Sequence, residues 1–252
     1  MINTYNESSL HRTLKNLYSD QQPSRQEVEL DGHIYDILTS SGKVIEIQTQ
    51  NISRLTEKIK DALEKGHECK IVHPIVIQKE ILLLDKYGIE ISRRKSPKKN
   101  SIYDVFRELT GIYPLLSDKK LSIEILFIKM IEIRTQTETP VQSENKKRRF
   151  KKNWIKKDKI LKEILDSKIF SSAKSYAELL PKKLPAEFTV KDIEKLLKEN
   201  ENLPKSAAQN ASVMVWVLSR MKIILYTGKK GRMKIYRLAE ELVQPEQYGY
   251  FS

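Results

Sequence analysis

HIYDILTSSGKVIEIQTQ, residues 33–50, contains two runs of alternating apolar and polar residues around the triplet Ser40-Ser41-Gly42. Alternation with a period of two predicts half-buried strands, and the small polar triplet predicts a tight turn between them. A further strand over residues 27–30 ends at Asp31-Gly32, which is another hairpin signal. The segment therefore predicts a three-stranded antiparallel meander.

Helical and buried-strand patterns flank this meander. Leu10, Leu14 and Leu17 share one face of a helix predicted over residues 7–18, and a second predicted helix over 53–65 stops at Gly66. The run KIVHPIVIQ, residues 70–78, is apolar almost throughout, as in strands that are buried on both faces. The expected fold class of this part is α/β, with a mixed sheet flanked by helices.

Composition limits the class of protein. The 252 residues suffice for one large domain or two ordinary ones, and the formal net charge of +13 favours a polyanionic partner. Cys69 is the only cysteine, which excludes an intramolecular disulfide and a zinc cluster of thiolates. Because we find no signal peptide and no apolar run long enough for a membrane span, we expect a cytoplasmic protein without a membrane partner.

Two carboxylates mark the meander as a candidate site. Side chains alternate along a strand, so Glu46 and Gln48 should share a face while Ile47 points away from it. The turn at residues 40–42 should fold Asp36 back beside Glu46. Two like charges held together are costly unless a cation lies between them, and hard oxygen ligands suit Mg²⁺ or Mn²⁺. The pattern therefore predicts a divalent-metal site.

This arrangement resembles the PD-(D/E)XK nuclease superfamily, whose fold is called restriction-endonuclease-like. The resemblance covers residues 1 to about 135: a leading helix, a meander bearing D…ExQ, a helix and a buried strand. It implies that Asp36 and Glu46 are catalytic metal ligands and that Gln48 takes the catalytic lysine position. It also implies that Glu7, on the first helix, is an additional metal ligand.

The sequence departs from the superfamily motif at two positions. Tyr35 replaces the motif proline, which is common, and Gln48 replaces the lysine. Glutamine can orient the attacking water, but it carries no positive charge to the scissile phosphate. The alternative interpretation is a solvated face, in which Asp36, Glu46 and Gln48 are the outward polar residues of an ordinary meander.

Other polar residues near this site have weaker signals. Arg54 and Lys58 lie one helical turn apart on the second helix, and we expect them to be solvated charges. His11 follows Glu7 by one turn. His73, within the apolar run, is expected to be a core histidine.

The second half of the chain is predicted to hold a linker and another domain. We place the end of the first domain near residue 140, a basic linker over 141–159 and a second domain over 160–252, with helical periodicity from Ile160. Residues 146–159, KKRRFKKNWIKKDK, contain nine Lys or Arg and one Asp. Phe150 and Trp154 interrupt this run as aromatic anchors, a combination suited to tracking a phosphate backbone.

The order of elements after Thr189 is helix, turn, helix, strand, glycine-rich turn and strand, which looks like a winged helix-turn-helix domain. In its second helix, residues 205–220, the apolar side chains Ala207, Ala211, Met214, Val215 and Leu218 should face the core. The opposite face should carry Lys205, Gln209, Ser212, Trp216 and Arg220, where a recognition helix meets the major groove.

Basic and polar residues of the basic loop at 92–99, the linker, the second helix and the wing are the predicted nucleic-acid contacts. They are Arg93, Arg94, Lys95, Lys98, Arg148, Arg149, Lys205, Gln209, Lys229, Lys230 and Arg232.

The sequence thus predicts a DNA-binding, metal-dependent nuclease with a winged-helix domain that supplies substrate affinity. Nucleases of the resembled fold often dimerise to cut both strands, so a homodimer is compatible with this prediction. Two alternatives remain open. One is a catalytically inactive DNA-binding protein of the same fold, and the other is a winged-helix regulatory or protein-interaction factor whose first domain is structural.

Overall fold

A computed structural model describes residues 7–143, 146 and 148–242. Among these residues, a seven-stranded mixed sheet has the strand order β1-β2-β3-β4-β6-β7, and β5 pairs with β4. The elements of this first part are α1 (Ser9–Asp20), β1 (Ser24–Leu30), β2 (His33–Thr39), β3 (Val44–Ile47), α2 (Thr56–Glu64), β4 (Cys69–Leu84), β5 (Glu90–Lys95), α3 (Val105–Leu109), β6 (Leu121–Val141) and β7 (Lys152–Phe170).

The predicted meander is confirmed. Strands β1, β2 and β3 are antiparallel neighbours, and Gly32 and Gly42 supply the positive φ angles of 83° and 82° that the two turns require. Strand β3 then pairs in parallel with β4, from Val44 opposite Cys69 to Ile47 opposite Val72. A parallel neighbour requires a crossover, which α2 provides.

The two long helices of this part cover opposite faces of the sheet. Leu10 and Leu14 of α1 pack with Ile37 of β2 and Leu126 of β6 on one face, and α2 packs in the core cluster on the other. Leu17 is exposed, and Tyr18 is buried in its place, because an i, i+4 spacing continues the α1 stripe better than i, i+3 here. The expected α/β class with a helix-flanked mixed sheet is therefore correct.

The prediction of a linker over 141–159 is wrong for residues 152–159. These residues begin β7, which is antiparallel to β6 from Ile123 opposite Phe170 to Gln136 opposite Trp154. The helical periodicity expected from Ile160 is wrong for the same reason. An edge strand is exposed on both sides along much of its length, so β7 shows no clean alternation.

The expected basic loop after β4 is also partly wrong, because Arg93, Arg94 and Lys95 lie in strand β5. This strand pairs antiparallel with the outer half of β4, with Arg94 opposite Ile81. The outer parts of β4, β6 and β7, together with β5, form an extension of the sheet that we call the arm, comprising residues 77–95, 129–141 and 152–160.

Up to residue 242, the second part contains three α-helices and a small sheet. Its elements are α4 (Ala173–Ala177), β8 (Glu187–Phe188), α5 (Val190–Glu199), α6 (Ala211–Arg220), β9 (Ile224–Lys230) and β10 (Met233–Leu238), with strand order β8-β10-β9. The second predicted helix begins as a 3-10 turn over Lys205–Asn210, and its expected core face is buried.

The two parts share one hydrophobic core. Phe170 at the end of β7 stacks on Tyr176 at 4.9 Å between ring centroids. Asn210, which is 1% exposed, accepts a 2.6 Å hydrogen bond from Arg107 of α3 and donates one to Asp104. Helix α6 is therefore docked against the first part rather than carried on a free domain.

Candidate functional site

The candidate site lies where β2 and β3 separate. Their ladder includes the pair Ile37 and Ile45, and Asp36 and Glu46 are the next residues toward the opening. The Ile47 amide donates to Asp36 Oδ2 at 2.8 Å, and the Asp36 amide donates to Glu46 Oε1 at 3.0 Å. Each carboxylate thus binds the backbone of the opposite strand, and the two side chains close the gap that the diverging strands leave.

Glu46 is the more deeply buried member of the pair. Its residue is 3% exposed, and Lys58 Nζ of α2 lies 2.6 Å from Glu46 Oε1. Burial, followed by the nearby charge of Asp36, raises the pKa of Glu46 to about 7, although Lys58 opposes this shift. A cation bound beside Asp36 and Glu46, in addition to Lys58, would therefore favour the ionised form of Glu46 at neutral pH.

Asp36 is held ionised by a histidine of α1. His11 Nε2 lies 3.4 Å from Asp36 Oδ2, and His11 Nδ1 contacts Glu7. Burial disfavours the imidazolium, but the bonds and charges of Asp36 and Glu7 outweigh it and raise the pKa of His11 to about 9. Burial likewise opposes ionisation of Asp36, while His11 lowers the pKa of that carboxyl.

Glu7 reaches Asp36 through His11. Its carboxylate also lies 2.9 Å from Lys15 Nζ, and Lys15, which is 5% exposed, contacts Glu27 on β1. The result is a chain of alternating charges from β1 across α1 to the opening between β2 and β3. The structure brings Glu7, Asp36 and Glu46 into one network. Its cations are His11, Lys15 and Lys58, which no motif in the sequence marks.

Gln48 points toward its own loop. Its amide donates to the carbonyl oxygens of Gln50 and Asn51 at 2.6 and 3.2 Å. Asn51 has a φ of 57°, so the glutamine amide helps to satisfy a backbone segment in the left-handed region. The cation that contacts Glu46 is Lys58. The expectation that Lys58 is a solvated charge is therefore wrong, and its ammonium also lies 4.8 Å from the centroid of the Tyr35 ring.

The donor set at this opening is compatible with a hard divalent cation. Within the part of the chain that the structure describes, no group of three or more His, Cys, Asp or Glu side chains is arranged to hold a metal ion. Mg²⁺, however, is commonly held by one or two protein carboxylates, with water and substrate phosphates completing its coordination. Asp36 and Glu46 supply two such carboxylates.

Some of the predicted nucleic-acid contacts converge at the junction of the two parts. Lys98, Lys205 and Gln209 line a cleft of about 690 Å³ together with Lys99 and Arg107. Its basic lining is suited to an anionic ligand.

Other predicted contacts are spread over the arm and the small sheet. Arg93 forms ion pairs with Glu90 and Glu80 at 2.9 and 3.6 Å, whereas Arg94 and Lys95 are exposed. Lys229, Lys230 and Arg232 are exposed at the hairpin between β9 and β10.

The aromatic anchors of the basic run differ from each other. The guanidinium carbons of Arg134 and Arg148 lie 3.6 and 4.0 Å from the Trp154 ring centroid, so the protein's own arginines engage this ring. Phe150 is 62% exposed, with Arg149 at 5.1 Å from its centroid. Of the two aromatic residues, Phe150 is therefore the one available to a partner.

Comparisons with known proteins place the chain in a family. A family model described as a domain of unknown function (DUF8091) matches residues 8–171. The chain belongs to the DUF8091 family. The DUF8091 match runs from the residue before α1 to the residue after the end of β7.

One relative is similar to this chain beyond the residues that the family model matches. An uncharacterized protein of Treponema pallidum (strain Nichols) is 33% identical over 236 residues, which cover 94% of this chain and 87% of the relative. No solved structure matches the chain significantly. Among the described residues, no helix is both long and apolar enough to span a bilayer.

Proposed function

We propose that this protein is a nucleic-acid-binding, Mg²⁺- or Mn²⁺-dependent nuclease that acts on DNA. The observation that carries the proposal is the pair Asp36 and Glu46 at the opening between β2 and β3, with Lys58 in contact with Glu46. Two carboxylates and a lysine at one opening are the parts that metal-dependent phosphodiester hydrolysis needs.

The order of elements supports this proposal. Helix α1, the meander β1–β3, the crossover α2 and the parallel strand β4 follow one another as in the PD-(D/E)XK resemblance. Asp36 lies on β2 and Glu46 on β3, in support of the resemblance, whereas Glu7 precedes α1 and is not on the helix as the resemblance implies.

Each residue of the site has a proposed task. Asp36 and Glu46 would hold the cation, which when bound supplies an acidified water and offsets the charge that develops on the phosphate. Lys58 would supply the positive charge that Gln48 lacks, since it reaches Glu46 from the neighbouring helix. His11 would keep Asp36 ionised and oriented.

The second part would supply substrate affinity as a winged-helix domain. In support, α5, α6 and the basic hairpin of β9 and β10 follow in the order expected for that domain. Since Trp216 of α6 contacts Tyr113 of the first part at 5.1 Å between ring centroids, the DNA would meet the start of the helix, near Lys205 and Gln209. The alternative role of this domain in protein docking remains a prediction, as does a homodimer.

A cleavage assay on labelled duplex DNA tests the proposal. Wild type should cut with Mg²⁺ or Mn²⁺, Asp36→Asn should be inactive, and Lys58→Gln should lose on the order of 100-fold in rate as a missing charge-stabilising group. Glu57→Gln is the matched control, because Glu57 is an exposed acid on the same helix as Lys58. Cleavage by Asp36→Asn at the wild-type rate would sink the proposal.

A second candidate is a DNA-binding protein of the same architecture without catalysis. It is favoured by the orientation of Gln48 toward Gln50 and Asn51, and by the ion pairs that already satisfy both carboxylates. Under this alternative, wild type and Asp36→Asn bind the duplex equally and neither cuts it with either metal.

A further inference from the structure

One buried carboxylate on the arm gathers three cations. Glu132 of β6 is 3% exposed, and its oxygens lie 2.5 Å from Arg134 Nη2, 3.3 Å from Lys79 Nζ and 3.5 Å from Lys156 Nζ. These cations come from three adjacent strands, β6, β4 and β7. The electrostatic effect of the cations lowers the pKa of Glu132 to about 2, although burial opposes it.

The cluster carries more positive than negative charge. Lys159 lies within the same group, since it is the residue of β7 directly opposite Glu132 in the antiparallel pairing with β6. Burial, followed by repulsion from Lys156, lowers the pKa of its ammonium. Four cations, Lys79, Arg134, Lys156 and Lys159, thus share Glu132 and the neighbouring Asp158, which leaves a net charge of about +2. A protein that concentrates like charges in this way stabilises a bound anion.

The cluster lies on the same face of the sheet as α1. Side chains alternate along β6, and Met130 packs in the core cluster beneath α1, so Glu132 and Arg134 continue that face outward. The start of α1 meets β7 at the cluster, because Ser9 N donates to Asp158 Oδ1 at 2.9 Å. Ser9 follows Glu7 by two residues, which joins the cluster to the charge network of Asp36.

We propose that Lys79, Arg134, Lys156 and Lys159 form a subsite for the phosphate backbone of the nucleic acid and lead it toward Asp36 and Glu46. The statement that the backbone is led toward Asp36 and Glu46 rests on the proposed function. From Lys159 to Trp154 the strand advances about 17 Å, the length of about five base pairs, so the surface is long enough for several phosphates. Trp154 adds a further cation to this surface, because the guanidinium groups of both Arg134 and Arg148 pack on its ring.

The first experiment measures binding of the full chain to a labelled DNA duplex by fluorescence anisotropy in EDTA over a range of salt concentrations. Lys156→Gln should weaken binding on the order of fivefold at low salt and reduce the slope of log Kd against log salt by about one. Lys119→Gln is the matched control: it removes the same charge from an exposed residue before the other end of β6. Equal affinities of the two variants would overturn the subsite.

A second variant separates an organised cluster from bulk charge. Glu132→Gln makes the chain more positive, so a simple charge effect tightens binding, whereas loss of the carboxylate that positions Arg134, Lys79 and Lys156 weakens it. We expect weaker binding, and tighter binding would contradict the proposal. If Glu132→Gln fails to fold, Lys156→Gln and its control decide the question.

Two further measurements distinguish a nucleic-acid subsite from a free-anion site and separate binding from cleavage. Inorganic phosphate at constant ionic strength should displace the duplex only weakly; complete displacement at millimolar phosphate would indicate a free-anion site and overturn the proposal. Since EDTA removes divalent metals, the binding result does not depend on cleavage. An inert wild type with a Lys156→Gln binding defect would refute the nuclease and keep the subsite.

Discussion

His11 should make the stability of this fold depend on pH between about 6 and 9.5. Its imidazole contacts Glu7 and lies 3.4 Å from Asp36 Oδ2, and its pKa is about 9 against a usual value of 6.5. Because the folded pKa is the higher one, the stabilisation is fully present below about pH 6.5 and is lost as the pH rises through 9. The perturbation that tests this is His11→Gln.

The size of the effect follows from the shift. A difference of about 2.5 units at about 1.4 kcal/mol per unit gives about 3.5 kcal/mol as an upper figure. The ring is 21% exposed, so solvent screening should reduce the effect to about 2 kcal/mol. Glu46, whose pKa is about 7, also titrates within this window, so the effect of His11 is taken as the difference between wild type and variant, which both contain Glu46.

Urea unfolding at pH 6 and at pH 9.5 provides the assay. The free energy of unfolding should fall by about 2 kcal/mol more for wild type than for His11→Gln between these two pH values. Arg12→Gln, on the same helix, is the control and should keep the wild-type pH dependence. If His11→Gln shows the same fall as wild type, the imidazole does not hold the charge that the network assigns to it.

Three other substitutions probe the packing. Phe170→Ala removes a ring that is 1% exposed and stacked on Tyr176, and it should cost about 3–5 kcal/mol in urea unfolding. Asn210→Ala should cost about 1–3 kcal/mol by leaving its buried partners in the first part unpaired; unchanged resistance to proteolysis at the junction would contradict this. Gly111→Ala places a Cβ 2.2 Å from the Cβ of Ser53, so the melting temperature of the variant should fall. Adding Ser53→Gly to this variant should restore part of the loss. A Gly111→Ala variant as stable as wild type would exclude this close approach.

The first half of the fold was predictable because its signals are local. Each element here is indicated by residues close to it in the sequence. These signals are the alternation over residues 33–50, the turns at Gly32 and Gly42 and the apolar stripe of α1. The opening of β2 and β3 also follows locally, since Asp36 and Glu46 are brought together by a short turn.

Strand β7 was missed because its pairing is long-range. Its sequence is rich in lysine and shows helix-like spacing, and it is a strand through its antiparallel pairing with the neighbour β6. The same limit applies at the site. Lys58 follows Glu46 by twelve positions, and no local pattern indicates that α2 turns this side chain back toward β3.

Binding of Mn²⁺ by the full chain in the presence of a DNA duplex, followed by electron paramagnetic resonance of the free ion, is the most direct test of the proposed metal site. Both carboxylates are needed to hold the cation, so wild type and the control Glu57→Gln should bind Mn²⁺ beyond what the duplex alone takes up, and Glu46→Gln should lose that binding. Identical titration curves for wild type and Glu46→Gln would show that Asp36 and Glu46 do not form a metal site.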